Sequence, residues 1–321
     1  MLEDSSTQEA RVQASYYTRG REASTIATYN TEYRRLVRFC QETGRSLFNF
    51  KESDLIQFIV TRSKAGASEG QLKQGLAVVN LICEVCKVQS PTKSEIVAKV
   101  KLAAFKDANE GKRKIQRRGL KMTDIKMMMK KCYRKDASKV KPERRRMVTM
   151  LTFCYFGCKR FSDINKIKKK DVVFMEDDSI KVWVSRSKTD KKREGYEFSM
   201  SGKKSGKFSV RKLVKWYFKS LGNVPDEGYI FPKFRKFSPL WDSHVTYGMA
   251  RAQLEKEKEV LGLDSTITWH SGRIGSASRA AEKGVSRDTI KKCGHWVSDA
   301  VDLYTRVDNP GIIMSDRLLE D

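Results

Sequence analysis

One third of the way along the chain, a strongly basic stretch interrupts the spacing of apolar residues. The segment KDANEGKRKIQRRGLKMTD (106–124) has no apolar periodicity and is rich in lysine and arginine. Apolar residues before it recur at helical spacing, whereas the residues after it mix helical spacing with the alternation typical of strands. Such a change of period across a polar break predicts two domains joined by a basic linker, which we place at 107–121.

The part of the chain before this linker predicts a compact unit of helices. Helical patterns of apolar residues cover four segments, near 24–44, 53–64, 68–87 and 92–106. We place this helical domain at 23–106. The residues before it are polar and end in YYTRGRE, which predicts a loosely ordered basic arm at 1–22.

The part of the chain after the linker predicts a mixed domain. Helical patterns near 123–135 and 144–157 are followed by strand patterns at DVVF (171–174), SIKVWVS (179–185) and YEFSM (196–200). The polar segment RSKTDKKREG between the last two strands predicts a hairpin turn. From residue 208 onward the pattern is helical, apart from a loop rich in Pro, Gly and aromatic residues at 222–241. The expected fold class is mainly α with a small antiparallel β-sheet, an α+β domain at 122–308 with a tail at 309–321.

The net charge is the unusual property of the composition. The 321 residues include 65 Lys and Arg against 39 Asp and Glu, a formal net charge of +26. A positive field of this size concentrates polyanions and speeds their capture, so nucleic acid is the natural partner. The alternative is a basic surface that serves only for solvation.

Other classes of protein fit the sequence less well. The tempting apolar stretch MVTMLTFCYFGC (147–158) is shorter than the roughly 20 residues that span a bilayer, and no signal peptide opens the chain. Seven cysteines, an odd number, favour a reducing compartment over a disulfide framework. Cys83 and Cys86 form a C-x-x-C pair, but no second ligand pair follows at the spacing of a zinc site. We therefore expect no membrane segment, metal or cofactor, and interpret this pair as helical packing.

Three short motifs in the second domain contain residue types suited to phosphodiester chemistry. YFGCKRFSDINKIKKKDV places Arg160 on a Gly-interrupted helical turn, with Asp163 three residues later. SRSKTDKK places Lys188 where a strand enters the basic hairpin turn. WHSGRIGSASRAAEKGVS contains His270-x-x-Arg273, a spacing that puts both side chains on one face of a helix.

The fourth motif is GHWVSDAVDLYTR (294–306). It puts His295 beside Trp296 and places Tyr304 nine positions after this histidine. Most tyrosines pack with the phenol oxygen at the surface, so Tyr304 alone would be interpreted as a packing residue. The order of all four motifs favours a reactive hydroxyl instead.

In this order the motifs resemble the tyrosine recombinase/integrase family over residues 24–306. That family carries Arg, Lys, His-x-x-Arg, His or Trp, and Tyr in the same succession, with a similar gap before the tyrosine. The resemblance implies an N-terminal helical core-binding (SAM-like) domain and a mixed α/β catalytic domain. Gly272, where the family often carries an apolar residue, is a departure that we expect to loosen local packing. The GHW, YTR and SKTD segments look most like recombinases of eukaryotic mobile elements of the crypton type.

The resemblance also implies a role for each motif residue. Tyr304 is the expected nucleophile, leaving a 3′-phosphotyrosine, and His270 is the expected base, because a phenol with a pKa near 10 is protonated at neutral pH. The other implied site residues are Arg160, Lys188, Arg273 and His295, supported by Asp163 and Trp296. Each of the two arginines would donate two N–H hydrogen bonds to the phosphate, and His295 would donate another. Lys188 would protonate the leaving oxygen.

Charge and resemblance together imply double-stranded DNA with specific recombination sites as the partner. We expect DNA contacts from the linker and the hairpin, namely from Lys112, Arg113, Lys114, Arg117, Arg118, Lys191, Lys192 and Arg193. The family implies a homo-tetramer in the synaptic complex and a monomer or dimer free of DNA, with the tail at 309–321 as a contact between protomers. The expected compartment is the nucleus if the source is eukaryotic, and otherwise the cytoplasm or nucleoid.

Two alternatives to a site-specific recombinase stay open at this point. A type IB topoisomerase uses the same residue types to cut and reseal one strand as a monomer. A domesticated DNA-binding protein would keep the fold and lose catalysis. The His-x-x-Arg form and the short helical first domain favour the recombinase, and the presence of every catalytic residue type argues against loss of activity.

Overall fold

The structure, a computed structural model, describes residues 23–47, 49–112, 116–133, 140–188, 190, 192–203 and 208–305. The predicted arm at 1–22 and the predicted tail at 309–321 lie outside these residues. Three of the predicted DNA contacts, Arg113, Lys114 and Lys191, also lie outside them.

The chain divides into two compact units, Met1–Lys114 and Ile115–Asp321. The division falls inside the segment predicted as a linker. In the described part of the first unit the helices are α1 (Ala23–Thr43), α2 (Glu52–Lys64), α3 (Glu69–Val85) and α4 (Glu95–Asn109), with a 3-10 turn at Pro91–Lys93. These are the helices that the apolar periodicity predicted.

The first unit is held together by the apolar faces of its helices. α1 packs against α3, and α2 packs against α4. Its core contains Leu36, Phe39, Leu55, Phe58, Leu72 and Val79. Cys83 is buried in this core, whereas Cys86 is exposed, so only the first cysteine of the C-x-x-C pair packs as predicted. No helix in the described part of either unit is long and apolar enough to cross a membrane.

The second unit mixes helices with two small antiparallel sheets. Its helices are α5 (Met122–Cys132), α6 (Pro142–Phe156), α7 (Phe161–Ile164), α8 (Val210–Leu221), α9 (Tyr247–Leu261), α10 (Ser271–Glu282) and α11 (Arg287–Cys293), with 3-10 turns at Lys169–Asp171 and Asp299–Leu303. Its strands are β1 (Val172–Phe174), β2 (Ile180–Val184), β3 (Tyr196–Met200), β4 (Pro232–Arg235) and β5 (Ser238–His244). The predicted α+β fold class is confirmed.

Helix α6 lies at the centre of the second unit. Every residue from 147 to 155 is buried, because this helix is apolar on all sides and therefore needs neighbours all round. Helices α5, α8, α9 and α10 pack against it. The short helix α7 follows its C-terminal turn, which is where Arg160 lies.

The three-stranded sheet has the order β1-β2-β3 and is antiparallel throughout. Val182 of β2 pairs with Val172 on one side and with Phe198 on the other. Alternate residues of β2 are buried, including Ile180 and Val184, as expected when one face of a sheet covers the core. The predicted hairpin between β2 and β3 is confirmed.

The loop predicted at 222–241 is wrong in its second half, because β4 and β5 form a hairpin there. Pro232 and Pro239 lie in these strands, and proline disfavours a central strand because it has no N–H to donate. In a two-stranded hairpin both strands are edges, so this restriction is relaxed. Lys236 and Phe237 form the turn with φ values of 47° and 72°, the positive pair that a type I′ turn requires.

Helix α10 approaches its neighbours unusually closely through two glycines. A Cβ atom on Gly272 would lie 2.7 Å from Cβ of Cys154 in α6. A Cβ atom on Gly275 would lie 1.9 Å from the carbonyl oxygen of Leu120. The prediction that Gly272 loosens local packing is therefore wrong, because the missing side chain is what allows α10 to contact α6.

A smaller apolar group, which we call the C-terminal cluster, lies apart from the main core of the second unit. It consists of Cys158, Ala277, Ile290, Trp296 and Val301, and Tyr304 packs against it. It joins the end of α6, the helices α10 and α11, and the 3-10 turn at Asp299–Leu303. The segments that carry the predicted histidine and tyrosine motifs are thus assembled by few apolar side chains.

The close approach at Gly275 predicts a strong effect of a single methyl group. We expect Gly275→Ala to lower the free energy of unfolding by about 1–3 kcal/mol, because the new carbon overlaps a backbone oxygen that cannot move freely. Gly248→Ala in α9 is the matched control, since no atom lies within 4 Å of its added carbon. That control should be neutral or up to about 1 kcal/mol more stable, as is usual for Gly→Ala in a helix. Chemical denaturation of both variants measures the difference, and equal stabilities would contradict the close contact.

Candidate active site

The turn that ends α6 places Arg160. Gly157 follows the last residue of the helix, and Cys158 then takes the left-handed conformation with φ of 54°. This reversal brings Arg160 to the N-cap position of α7, where its backbone N–H donates to Oδ2 of Asp163 at 3.1 Å. The Nη1 atom of Arg160 is 3.8 Å from the same oxygen. Asp163 is buried, and its carboxylate contacts the backbone of Arg160 and lies near its guanidinium.

The start of α10 provides the His-x-x-Arg pair. His270 is the N-cap residue of this helix, and Arg273 lies within its first turn. Arg273 is fully buried. Its Nη1 donates to the carbonyl oxygen of Cys158 at 2.9 Å, and its Nη2 donates to that of Gly294 at 2.6 Å. Two of the five guanidinium N–H bonds are used in this way, so three are not used by these two contacts.

The end of α11 carries the Gly-His-Trp turn. His295 has a φ of 52°, and its ring stacks on that of Tyr196 with centroids 3.7 Å apart. The Trp296 ring covers Arg273, whose Cζ is 3.7 Å from the ring centroid. A Cβ on Gly294 would lie 1.8 Å from this tryptophan ring. Glycine is therefore required at position 294 for Trp296 to pack on the arginine.

Tyr304 follows the 3-10 turn at Asp299–Leu303 and faces His270. Its hydroxyl oxygen is 2.7 Å from Nε2 of His270. Its backbone carbonyl accepts a hydrogen bond from the Ser278 hydroxyl at 2.7 Å, and its ring lies 4.9 Å from that of Trp296 between centroids. The tyrosine is thus fixed at both its backbone and its ring, with its hydroxyl directed at a ring nitrogen.

Lys188 is not brought into this group. It lies exposed in the turn after β2, and within the described part of the chain it forms no hydrogen bond or ion pair. Its neighbour Ser187 is buried and donates to Oδ1 of Asp163 at 3.2 Å. The start of this turn is therefore held next to the arginine turn, while the lysine itself extends into solvent.

Several buried hydrogen-bond donors of these side chains have no acceptor among the described residues. Nη1 of Arg160, Nε of Arg273 and Nε1 of Trp296 are buried and make no hydrogen bond within the described part of the chain. Buried polar atoms are normally paired, so such atoms call for an explanation. Three such donors on cationic and aromatic side chains suit an anion with several oxygens.

Burial and positive charge also control protonation in the site. Burial, and then the charge of Lys159, lower the pKa of His295 to about 4. Burial and the charge of Arg160 lower the pKa of Arg273. His295 is consequently neutral at pH 7, with one ring nitrogen as donor and the other as acceptor. The described residues contain no group of three or more His, Cys, Asp or Glu side chains that could hold a metal ion.

The sequence profile of the phage integrase family matches residues 119–309, which is more than half of the chain. The chain belongs to the phage integrase family. This match covers the whole group of residues described above, from the arginine turn to Tyr304. The enzyme class predicted from the motif order, a tyrosine recombinase, is confirmed.

Individual relatives agree with this assignment. The recombinase Cre of Escherichia phage P1 is 23% identical over 299 residues, which are 88% of this chain and 84% of Cre. The XerH site-specific recombinase, in a post-cleavage complex with palindromic difH substrate, matches with a TM-score of 0.64 at 15% identity, over 92% of this chain and 80% of that one. A lambda integrase dimer bound to a COC′ core site matches with a TM-score of 0.55 at 15% identity, over 95% and 96% of the two chains. Neither alternative function is favoured by these matches.

The residues of the recombinase that we expected to contact DNA differ in their surroundings. Lys112 donates to the carbonyl oxygen of Ala108 at 2.7 Å. Arg118 is half-buried and binds both carboxylate oxygens of Asp124, at 2.9 and 3.1 Å. Its guanidinium therefore fixes the start of α5 in this structure. The other described ones, Arg117, Lys192 and Arg193, are exposed.

Three residues near the site were missed by the sequence interpretation. Lys159 is fully buried beside Arg160, Tyr196 stacks on His295, and Ser278 holds the backbone of Tyr304. Only Lys159 had a signal in the sequence, because it directly follows a long apolar stretch. Tyr196 and Ser278 are ordinary strand and helix residues whose role depends on distant segments.

The segment that carries Tyr304 is tied to α11 by a network of exposed ions. Arg287 donates to Asp302 through Nε and Nη2 at 2.8 and 2.7 Å, and to Asp299 through Nη2 at 2.8 Å. The same carboxylates keep their pKa values low, because each accepts hydrogen bonds from Arg287. These contacts fix both ends of the 3-10 turn that precedes the tyrosine.

This network predicts a local effect of Arg287→Ala in the recombinase. We expect faster hydrogen exchange at the amides of Tyr304 and Thr305, which both donate to the carbonyl of Val301. Global stability should change little, because exposed ion pairs contribute little to it. Arg279→Ala, which removes an exposed arginine that pairs with Glu282, is the control and should leave both amides unchanged. Identical exchange in the two variants would contradict a role for the network.

Proposed function

We propose that this protein is a site-specific DNA recombinase that cuts and rejoins strands through a covalent 3′-phosphotyrosyl bond at Tyr304. The observation that carries the proposal is the 2.7 Å contact between the Tyr304 hydroxyl and Nε2 of His270. It lies among buried donors of Arg160 and Arg273 that have no acceptor in the described structure. A nucleophile, a base and a phosphate site are thus present together.

The cleavage step moves one proton at each end of the reacting phosphate. The Tyr304 oxygen forms a bond to phosphorus, and His270 takes the phenol proton. The bond from phosphorus to the 5′-oxygen breaks, and Lys188 gives that oxygen a proton. Religation reverses the step with a 5′-hydroxyl as the attacking group. The phosphotyrosyl bond keeps the energy of the diester, so ATP is not consumed.

The phosphate is bound by donors that are fixed before DNA arrives. Arg160 is oriented by the buried carboxylate of Asp163, and Arg273 by two backbone carbonyls. Donors already in place stabilise the charge of the transition state without reorganisation. His295 donates a further bond to a phosphate oxygen, and Trp296 keeps Arg273 in position. Lys188 is exposed in the protein without DNA, as expected for a side chain that reaches the leaving 5′-oxygen only when DNA is bound.

Double-stranded DNA with recombination sites is the partner in this proposal. The XerH and lambda integrase relatives were solved with difH substrate and with a COC′ core site, and the net charge of +26 supports the same class of ligand here. The helical unit is assigned to core binding and the mixed unit to catalysis. Recombination between two sites requires assembly, and we propose a tetramer in the synaptic complex. The compartment is the one that contains the target DNA.

Removal of the Tyr304 hydroxyl tests the covalent step. Tyr304→Phe is nearly isosteric, so the ring contacts with Trp296 should persist. We expect DNA affinity to stay within about twofold, because phosphate contacts by lysine and arginine dominate binding. Adduct formation on a suicide substrate nicked near the cleavage site should fall to background on a denaturing gel, whereas the wild type should give a 3′-linked adduct.

The companion variant Arg160→Ala tests the phosphate-binding side chain while the Tyr304 hydroxyl is kept. It keeps the phenol and should still lose the adduct, because the arginine acts mainly in the transition state. Arg273→Ala is a poorer control, since Arg273 also holds two turns of the backbone. An adduct in Tyr304→Phe would identify another tyrosine as the nucleophile. A wild type that relaxes supercoils but never exchanges strands between two sites would favour the topoisomerase.

The charge of the protein predicts a steep salt dependence of DNA binding. A plot of log affinity against log salt should have a slope of about −5 to −9, which corresponds to roughly six to ten neutralised phosphates. Fluorescence anisotropy with a duplex at several salt concentrations gives this slope. Lys192→Ala should reduce its magnitude by about 0.9 if this exposed hairpin lysine contacts a phosphate. A slope near zero would contradict phosphate-dominated binding.

A further inference from the structure

A fully buried lysine lies beside the proposed phosphate site without a carboxylate partner. Lys159 precedes Arg160 in the turn after α6, and its side chain is inaccessible to solvent. Among the residues that the structure describes, no carboxylate forms an ion pair with it. A buried ammonium is costly unless other groups compensate for its lost hydration. The groups around Lys159 therefore indicate what it does.

The ammonium group contacts the end of α11 directly. Nζ of Lys159 donates to the carbonyl oxygen of Cys293 at 2.7 Å. The next carbonyl, that of Gly294, accepts from Arg273 at 2.6 Å. Two cations from different parts of the chain thus bind consecutive carbonyls at the C-terminal end of a helix, where unpaired carbonyls and the helix dipole favour positive charge. Both contacts fix the backbone immediately before His295.

Aromatic rings provide the second set of contacts. Nζ of Lys159 is 4.6 Å from the ring centroid of Tyr196 and 4.8 Å from that of Phe198. Tyr196 is also the ring on which His295 stacks. Lys159 therefore touches the backbone that leads into His295 and the ring that orients its imidazole. Cation–π contacts of this kind contribute more when the cation is desolvated.

Charged and titratable groups from several elements surround the pair formed by Lys159 and His295. Arg160 and Asp163 face it from the arginine turn and α7, Arg273 from α10, and the thiols of Cys158 and Cys293 lie near Lys159. Burial lowers the pKa of Lys159 to about 8, so the ammonium is charged at pH 7 and loses its proton just above. Burial and the charge of Lys159 lower the pKa of His295 to about 4.

We propose that Lys159 is a positioning residue of the recombinase, which holds the turn of His295 through the Cys293 carbonyl and the Tyr196 ring and places a buried positive charge near the imidazole. The functional meaning of this arrangement rests on the proposed role of His295 as a phosphate donor. A neutral imidazole adds a donor to the site without adding a further charge beside Arg160 and Arg273. The ammonium stays behind the site and does not touch the substrate.

The test follows the three histidines of the chain by NMR in the protein without DNA. Only three imidazole signals are present, and those of His244, His270 and His295 can be assigned from His→Gln variants. In Lys159→Met the long apolar side chain keeps the site buried and removes only the charge and the donor. We expect the midpoint of the His295 titration to rise by about one pH unit or more, because a neighbouring positive charge that disfavours imidazolium has been removed. His244 should keep its wild-type midpoint.

Lys291→Met is the matched control for charge near the turn. Lys291 lies in α11 and lines the same surface cleft as His295, but it is partly exposed and pairs with Asp299. Its removal should leave the His295 midpoint unchanged, since an exposed charge is screened by water. A Lys159→Met protein that folds and titrates like the wild type at His295 would overturn the proposal.

The wild type provides a second measurement in case Lys159→Met does not fold. When Lys159 loses its proton, the His295 signal should show a small second inflection that the His244 signal lacks. Absence of this inflection would overturn the proposal without any variant.

The rate of DNA cleavage tests whether the positioning role of Lys159 affects the reaction. On the suicide substrate, Lys159→Met should form adduct about 10- to 100-fold more slowly at saturating DNA, with unchanged affinity, because a displaced donor affects the transition state. An unchanged rate in a variant with a shifted His295 titration would overturn the positioning role. The NMR result does not depend on activity, so failure of the wild type to form any adduct would count against the proposed function and leave the assignment of Lys159 intact.

Discussion

The guanidinium of Arg273 connects three segments that are far apart in the sequence. It donates to the carbonyl of Cys158 after α6 and to that of Gly294 after α11, while the Trp296 ring covers its face. Each carbonyl belongs to a turn that carries another site residue. A buried cation needs compensation for lost hydration, and here backbone oxygens and an aromatic ring provide it. Because no carboxylate forms an ion pair with Arg273 within the described residues, its positive charge remains available to an anion.

The same use of carbonyls in place of carboxylates recurs at Lys159, whose ammonium binds the Cys293 oxygen. Two adjacent carbonyls of one helix end thus order two cations and the turn that follows. Asp163 is the buried carboxylate near the site, and it is shared by the backbone of Arg160 and the hydroxyl of Ser187. Positive charge therefore exceeds negative charge in this site before any DNA is bound. Phosphoryl transfer requires charges and donors that are already in place in this way.

Periodicity and motif order predicted much of the fold and most of the site. The helices of the first unit and the β2–β3 hairpin follow from local spacing, and the contact between His270 and Tyr304 agrees with the order of the motifs. Gly272 was misjudged because the effect of a missing side chain depends on what lies opposite, here Cys154 in α6. The β4–β5 hairpin was missed because prolines mask a strand pattern. Lys159 was missed because its only signal was its position directly after an apolar stretch, and the rings and carbonyls that surround it come from distant segments.

The C-terminal cluster is separate from the main core, so the segment that carries Tyr304 depends on few buried apolar contacts. Five apolar side chains, of which only Trp296 is large, and a set of exposed ion pairs hold the segment that carries Tyr304. Regions with few buried contacts open at a lower free energy than the domain as a whole. Arg160 and Arg273, in contrast, lie in the turn after α6 and in α10. We therefore expect the segment around Tyr304 to open at a lower free energy than helices α6 and α10, so that the phenol can shift while Arg160 and Arg273 keep their positions.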